Sequence, residues 1–286
     1  MKLGAFELNE PLPELKETHC LAMLRPWIDI GSVGSLVTSW LETQFGAKEL
    51  GKLARPGEFF DFTRYRPTTY FLDGQRQMSI PNTTVSYAQQ QTGNDFLFLH
   101  LLEPHNHSED YNESVLMLLE KFNVKRYILL GSMYDYSPHT RPLQVTGTPA
   151  QRGSSIRRSG YQGPTTITSL ISQQAAPKGV ETMSLIVHLP QYTQLDEDYM
   201  GAIRIMETLS TMYPIRTEQT HITTANKQRE QLNETVEQNP QLKEIVQQLE
   251  AHYDSRAERR REEDSPKLSP EIEKFLAEMD KRFREG

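Results

Sequence analysis

The sequence predicts an α/β fold: a three-layer α/β/α domain on a mixed sheet, followed by a helical C-terminal arm. Three observations carry that prediction. Short apolar runs of strand length alternate with segments of helical period between Met23 and Tyr213, which implies a mostly parallel sheet with helices on both faces. Short strands separated by turn residues near positions 70–88 interrupt the alternation and make the sheet mixed. After about residue 216 aromatics become scarce and Glu, Gln, Lys and Arg dominate. The expected organisation is a lead-in over 1–21, an α/β domain over 22–216 and a charged helical arm over 217–286.

The elements follow in order. Pro11 and Pro13 sit in a polar lead-in. Met23–Ile30 is short and apolar, as a buried strand is. Gly31-Ser32-Val33-Gly34 turns the chain, after which Leu36, Val37, Trp40, Leu41 and Phe45 recur at helical spacing until Gly46 stops the helix. Tyr70–Leu72, Gln77–Ile80 and Thr83–Ala88 read as strands separated by Asp73-Gly74 and Pro81-Asn82 turns. Asp95–Leu102 is almost unbroken apolar sequence, the pattern of a strand covered on both faces. Ser108 is suited to cap a helix carrying Val115, Leu116, Leu118, Leu119 and Phe122. Val124–Leu130 is a further buried strand, closed by Gly131.

Arg152–Gly163, rich in Gly, Ser and Arg, reads as a mobile loop. Thr165–Gln174 is a predicted helix, Val180–His188 a strand, and Asp198–Tyr213 an amphipathic helix. In the arm, Asn239-Pro240 and Ser269-Pro270 each place a capping residue before a proline at the first helical position. Leu242, Ile245, Val246, Leu249 and Tyr253 form one apolar stripe; Ile272, Leu276, Met279 and Phe283 form another. Each stripe needs a surface to pack against. Arg256–Asp264 is nearly continuous charge and reads as a solvated helix or linker.

Composition narrows the function classes. A net charge of -7 argues against general nucleic-acid binding, which needs a basic face to displace counterions. No apolar run is long enough to span a bilayer, so no membrane partner is expected. Cys20 is the single cysteine, so it forms no internal disulfide and no zinc cluster; it reads as a small buried apolar residue. Met1–Glu10 carries one lysine and two glutamates, unlike a signal peptide, and a cytoplasmic location is expected.

In an open parallel sheet, ligands bind beyond the carboxyl ends of the strands. Four segments are expected to meet there: Gly31–Gly34, Glu103–His107, Gly131–Tyr136 and His188–Tyr192. The candidate ligand-site residues are Gly31, Ser32, Gly34, Glu103, Gly131, Ser132, His139, Arg141, His188 and Tyr192. Gly31–Gly34 can offer backbone N–H groups to an anion or serve as a tight turn, but it lacks the dinucleotide fingerprint. Glu103, His105 and His107 have the chemistry of metal ligands, yet two imidazoles and one carboxylate in a loop are a common coincidence, and no metal or other cofactor is expected. Ser132 follows a strand as a nucleophile does, without the small neighbours of a nucleophile elbow and without spacing that supplies His139 or His188 as its base. Arg141, held between Pro138 and Pro142, can clamp a carboxylate or phosphate, or pair with an acidic side chain and fix its loop. No catalytic residue is assigned.

Leu129–Pro142, LLGSMYDYSPHTRP, resembles the signature of the proteasome assembly chaperone family. Further matching pieces occur in order: WIDIGSVGSLV at Trp27–Val37, EFFDF at Glu58–Phe62 with Arg66-Pro67, Glu103-Pro104, YQGP at Tyr161–Pro164 and HLPQY at His188–Tyr192. The likeness spans about residues 22–216. It implies a phosphorylase/hydrolase-like fold and self-association, with a trimer favoured. Eukaryotic members help assemble proteasome α-rings, and some archaeal members bind proteasomes through a C-terminal hydrophobic-Tyr-anything tail. The sequence ends Arg284-Glu285-Gly286 instead, and Gln191 stands where many relatives carry histidine before the tyrosine. The leading expectation is a non-catalytic homo-oligomeric scaffold or chaperone-like protein whose partners are itself and a proteasome or other protein. The rival expectation is a small-molecule or nucleotide-processing enzyme using the carboxyl edge of the sheet.

Overall fold

The alternation of strand and helix is realised in a computed structural model that describes residues 1–148, 156–158 and 162–264. The first departure comes at once. Two strands, β1 (Lys2–Leu3) and β2 (Phe6–Leu8), occupy the expected polar lead-in, and β2 buries Phe6 and Leu8. The next strand, β3 (His19–Arg25), lies earlier than Met23–Ile30 because Pro26 has no N–H to continue a ladder. The turn and α1 (Val33–Phe45) follow as predicted, with Gly46 in the left-handed conformation closing the helix. A strand absent from the sequence reading, β4 (Lys48–Leu53), comes next. Its register shifts between Glu49 and Gly51, so its buried Leu50 and Leu53 do not fall two apart.

The β-rich stretch forms β5 (Thr68–Leu72), β6 (Gln75–Ser79) and β7 (Thr84–Ala88), followed by β8 (Phe96–Leu102). In α2 (Ser108–Lys121), Ser108 is the first helical residue rather than the cap. His107 precedes it in a left-handed conformation without a capping side-chain bond, while Glu109 and Asp110 face the positive end of the helix dipole. Then come β9 (Arg126–Asp135), the short β10 (Val145–Thr148) and β11 (Ile156–Arg158), α3 (Ile167–Ala175), β12 (Glu181–Pro190) and α4 (Tyr199–Ser210). Most of the Arg152–Gly163 segment lies outside the described residues. The arm forms α5 (Gln219–Gln238) and α6 (Pro240–Asp264), split at Asn239, whose Oδ1 accepts the Leu242 N–H at 3.2 Å. The Ser269-Pro270 cap and the Ile272–Phe283 stripe lie outside the described residues.

Among the described residues ten strands join in one sheet of order β1-β2-β4-β7-β8-β3-β9-β12-β10-β11. Its centre, β8-β3-β9-β12, is parallel, and its β7-to-β1 flank is antiparallel. A separate two-stranded ribbon, β5-β6, stands apart. Side-chain alternation divides the core into two layers. Leu97, Leu99 and Leu101 of β8, with Tyr127 and Leu129 of β9, pack with α2 and α3. Phe96, Phe98, Ile128 and Leu130 point the other way, toward α1, α4 and Ala225 of α5. The result is the predicted three-layer α/β/α arrangement with a mixed sheet. Cys20 is fully buried, and burial pushes its thiol pKa far up, as its apolar reading requires. Among the described residues no helix is long and apolar enough to cross a membrane.

Candidate functional site

Because β8, β3, β9 and β12 are parallel neighbours, the four predicted segments all leave the same edge of the sheet. They do not form one site. The sheet separates them into three environments, with different chemistry in each.

On the α1/α4 side, the Gly31 turn is occupied by the protein itself. Gly31 has φ 59°, and a Cβ there would lie 2.8 Å from Asp198 Cβ, so glycine is needed for both conformation and contact. Asp29 Oδ1 accepts the Gly34 N–H at 2.6 Å and the Ser35 N–H at 3.2 Å, while its Oδ2 accepts Ser35 Oγ–H at 2.6 Å. A carboxylate of the chain thus sits where an anion would bind the first turn of α1. Burial raises the Asp29 pKa against those three bonds. Ser132 is fully buried and donates to the Ile30 carbonyl at 2.5 Å. Its hydroxyl serves this turn.

On the α2/α3 side, a cavity of about 1380 Å³ opens beyond β3, β8 and β9. Trp27, 64 % exposed, lies on its wall together with Phe60, Phe62, Glu103 and the first turn of α3. Of the ten candidate residues, Glu103 alone lines it. The Ile167 N–H donates to both Glu103 oxygens, at 2.9 and 3.2 Å, so this carboxylate caps α3. Burial raises its pKa and that bond opposes the rise. His105 Nδ1 accepts the Asp61 N–H at 3.2 Å, and His107 pairs with Asp110 at 3.4 Å. The two histidines and Glu103 therefore serve three separate contacts. Gly131 is outside the lining and packs on the chain after β3, where a Cβ would meet the Ile28 carbonyl at 2.4 Å.

The His139 loop is covered by the arm. Tyr192 Oη accepts the His139 N–H at 2.9 Å and donates to His139 Nδ1 at 2.6 Å, leaving Nε2–H to donate to Asn233 Oδ1 of α5 at 3.1 Å. Burial lowers the His139 pKa, so the ring is held neutral, and it raises Tyr192 to about 12. The Arg141 guanidinium forks onto Asp254, through Nε at 3.0 Å and Nη2 at 2.8 Å, and its Nη1 reaches Glu250 at 3.1 Å. Tyr253 donates to the Pro142 carbonyl at 3.0 Å. Arg141 thus clamps carboxylates of its own chain.

His188 gains partners that sequence spacing did not show. Its Nδ1 lies 2.8 Å from Asp135 Oδ2 and its Nε2 lies 2.9 Å from Thr146 Oγ1. The three residues form a row across β9, β12 and β10, and Thr146 lines the cavity. The hydrogen bond from His188 holds the Asp135 pKa below the usual carboxylate range. Thr146 carried no sequence signal: β10 is short, and only its antiparallel return beside β12 brings the hydroxyl to His188.

The comparisons fit this geometry. The chain has the fold of an unknown-function protein of Mycobacterium tuberculosis, Rv2714, at TM-score 0.79, 24% identity and coverage of 92% of this chain and 93% of that one. It also resembles the M. tuberculosis proteasome-assembly chaperone homologue Rv2125, at TM-score 0.71 and 19% identity, over 79% of this chain and 99% of that one. A third likeness is to Pyrococcus furiosus PbaB, an archaeal proteasome activator, at TM-score 0.62 and 14% identity, covering 80% and 97%. No curated protein matches the sequence. The PAC2 family model matches residues 23–236, from the end of β3 to the last turn of α5. The chain belongs to the PAC2 family, the proteasome assembly chaperone family that its Leu129–Pro142 segment resembles.

Proposed function

We propose that this protein is a self-associating scaffold with a chaperone-like role in protein assembly. The observation that carries the reading is the β5–β6 ribbon. All ten of its strand residues are exposed, including Tyr70, Phe71, Leu72 and Met78. Phe71 and Met78 share one face, while Tyr70 and Leu72 share the other, so both faces carry uncovered apolar side chains. An isolated two-stranded ribbon is marginal in water, and an apolar one needs cover. A second copy of the chain supplies such cover and accords with the PAC2 assignment. The names of the chaperone homologue and the proteasome activator among its structural relatives support a role in assembly.

Light scattering on the full chain tests the reading. The wild type is expected at a multiple of its 33.0-kDa chain mass, with a trimer favoured. Phe71→Asp combined with Met78→Asp is expected to shift that mass to the monomer without loss of helical signal. A monomeric wild type would overturn self-association. An unchanged mass in the double variant would remove the ribbon from the interface.

A further inference from the structure

The Asp135–His188–Thr146 row is arranged for chemistry that the scaffold reading does not use. Asp135 accepts a hydrogen bond at His188 Nδ1, which fixes the proton on that nitrogen. The lone pair of Nε2 is left to accept the Thr146 hydroxyl proton, at 2.9 Å. Carboxylate, imidazole and hydroxyl are therefore in the order and at the spacing of an activated oxygen nucleophile. Thr146 lines the cavity, whereas Asp135 and His188, at 29% and 14% side-chain exposure, are not part of its lining.

The surroundings define the substrate class. Thr146 is paired across the sheet with Ile186, which lines the same cavity with Leu129 and Met133. This part of the lining is apolar and suits an uncharged acyl group. Thr165 and Ser169, whose hydroxyls bond each other, and Thr168, whose hydroxyl bonds that of Thr166, also line the cavity.

We propose that Thr146 is a nucleophile toward uncharged carboxylic esters, with His188 as its base and Asp135 as a positioning residue. Thr146 Oγ1 attacks the acyl carbon and its proton passes to His188 Nε2. The ester C–O bond breaks, the alcohol leaves with that proton, and the acyl group remains on Thr146. Water then attacks the acyl-threonine with His188 again taking the proton; the carboxylic acid departs and the hydroxyl is restored. No other reactant is needed.

The full chain is incubated with p-nitrophenyl butyrate, and separately with a fluorophosphonate probe followed by peptide mapping. The expected result is ester turnover and a single adduct on Thr146. His188→Gln and Thr146→Val are expected to lose at least about 100-fold in rate, and Thr146→Ser to retain both turnover and labelling. Asp135→Asn is expected to lower kcat with KM nearly unchanged, a split that a merely structural contact does not produce. Wild-type turnover no faster than that of Thr146→Val, or an adduct on any other residue, overturns the proposal. The Thr146 series keeps the test decisive if the His188 variant does not fold.

Discussion

His139 shows what a single side chain can be made to do by its setting. In the neutral ring Nδ1 accepts a hydrogen bond from Tyr192 and Nε2–H donates one to Asn233, so both nitrogens are satisfied without a charge. Burial lowers its pKa below the ordinary histidine value of about 6.5. The unfolded chain then binds the proton first as pH falls, so the contribution of this residue is full above about pH 6.5 and is lost below it. Urea unfolding at intervals from about pH 7.5 to 5 is expected to show wild-type stability falling across that range, and His139→Asn is expected to flatten the fall. Identical slopes would remove His139 from the transition. Arg141 makes the contrasting case. Its fork onto Asp254 is well formed but sits near solvent, with a third of the Arg141 side chain exposed, and exposed pairs contribute little. Arg141→Met is expected to lower Tm by less than about 4 °C while opening α6 to limited proteolysis. Unchanged cleavage of α6 would show that other contacts hold it.

At the scale of elements, the arm is the part whose sequence reading the structure changes most. The stripe Leu242–Tyr253 called for burial, yet Val246 is buried and Ile245 is 49% exposed. The helix is attached instead by polar contacts to residues 140–142, which free the stripe from full burial. The stronger attachment is α5, which the sequence marked only as part of a charged arm. Trp40 stacks on His221 with centroids 3.9 Å apart, Gln228 bonds the Glu197 carbonyl and the Tyr199 N–H, and Ala225 enters the core. Truncation after Arg216 removes these contacts and the burial of Val236, and is expected to destabilise the domain by about 2–4 kcal/mol. Calorimetry with light scattering reads it as a lower Tm or as aggregation. A truncated chain with wild-type Tm and mass would make the arm a passenger.

Across the whole molecule, legibility followed the range of the forces involved. The sequence by itself determined the α/β class, because burial on both faces writes itself as apolar runs such as Phe96–Leu102, and helices write themselves as a period of 3.6. It also determined that β3, β8, β9 and β12 would send their loops to one edge, since connections of one hand in a parallel sheet leave that consequence alone. It did not determine which face of the sheet each loop would serve. The tertiary structure decided that Asp29 fills the Gly31 turn, that acidic residues of α6 fill the Arg141 clamp, and that Glu103 caps α3. It also decided that His188 would meet Asp135 from one neighbouring strand and Thr146 from the other. Such pairings join residues up to 113 positions apart through side-chain direction and strand register, which no local periodicity encodes.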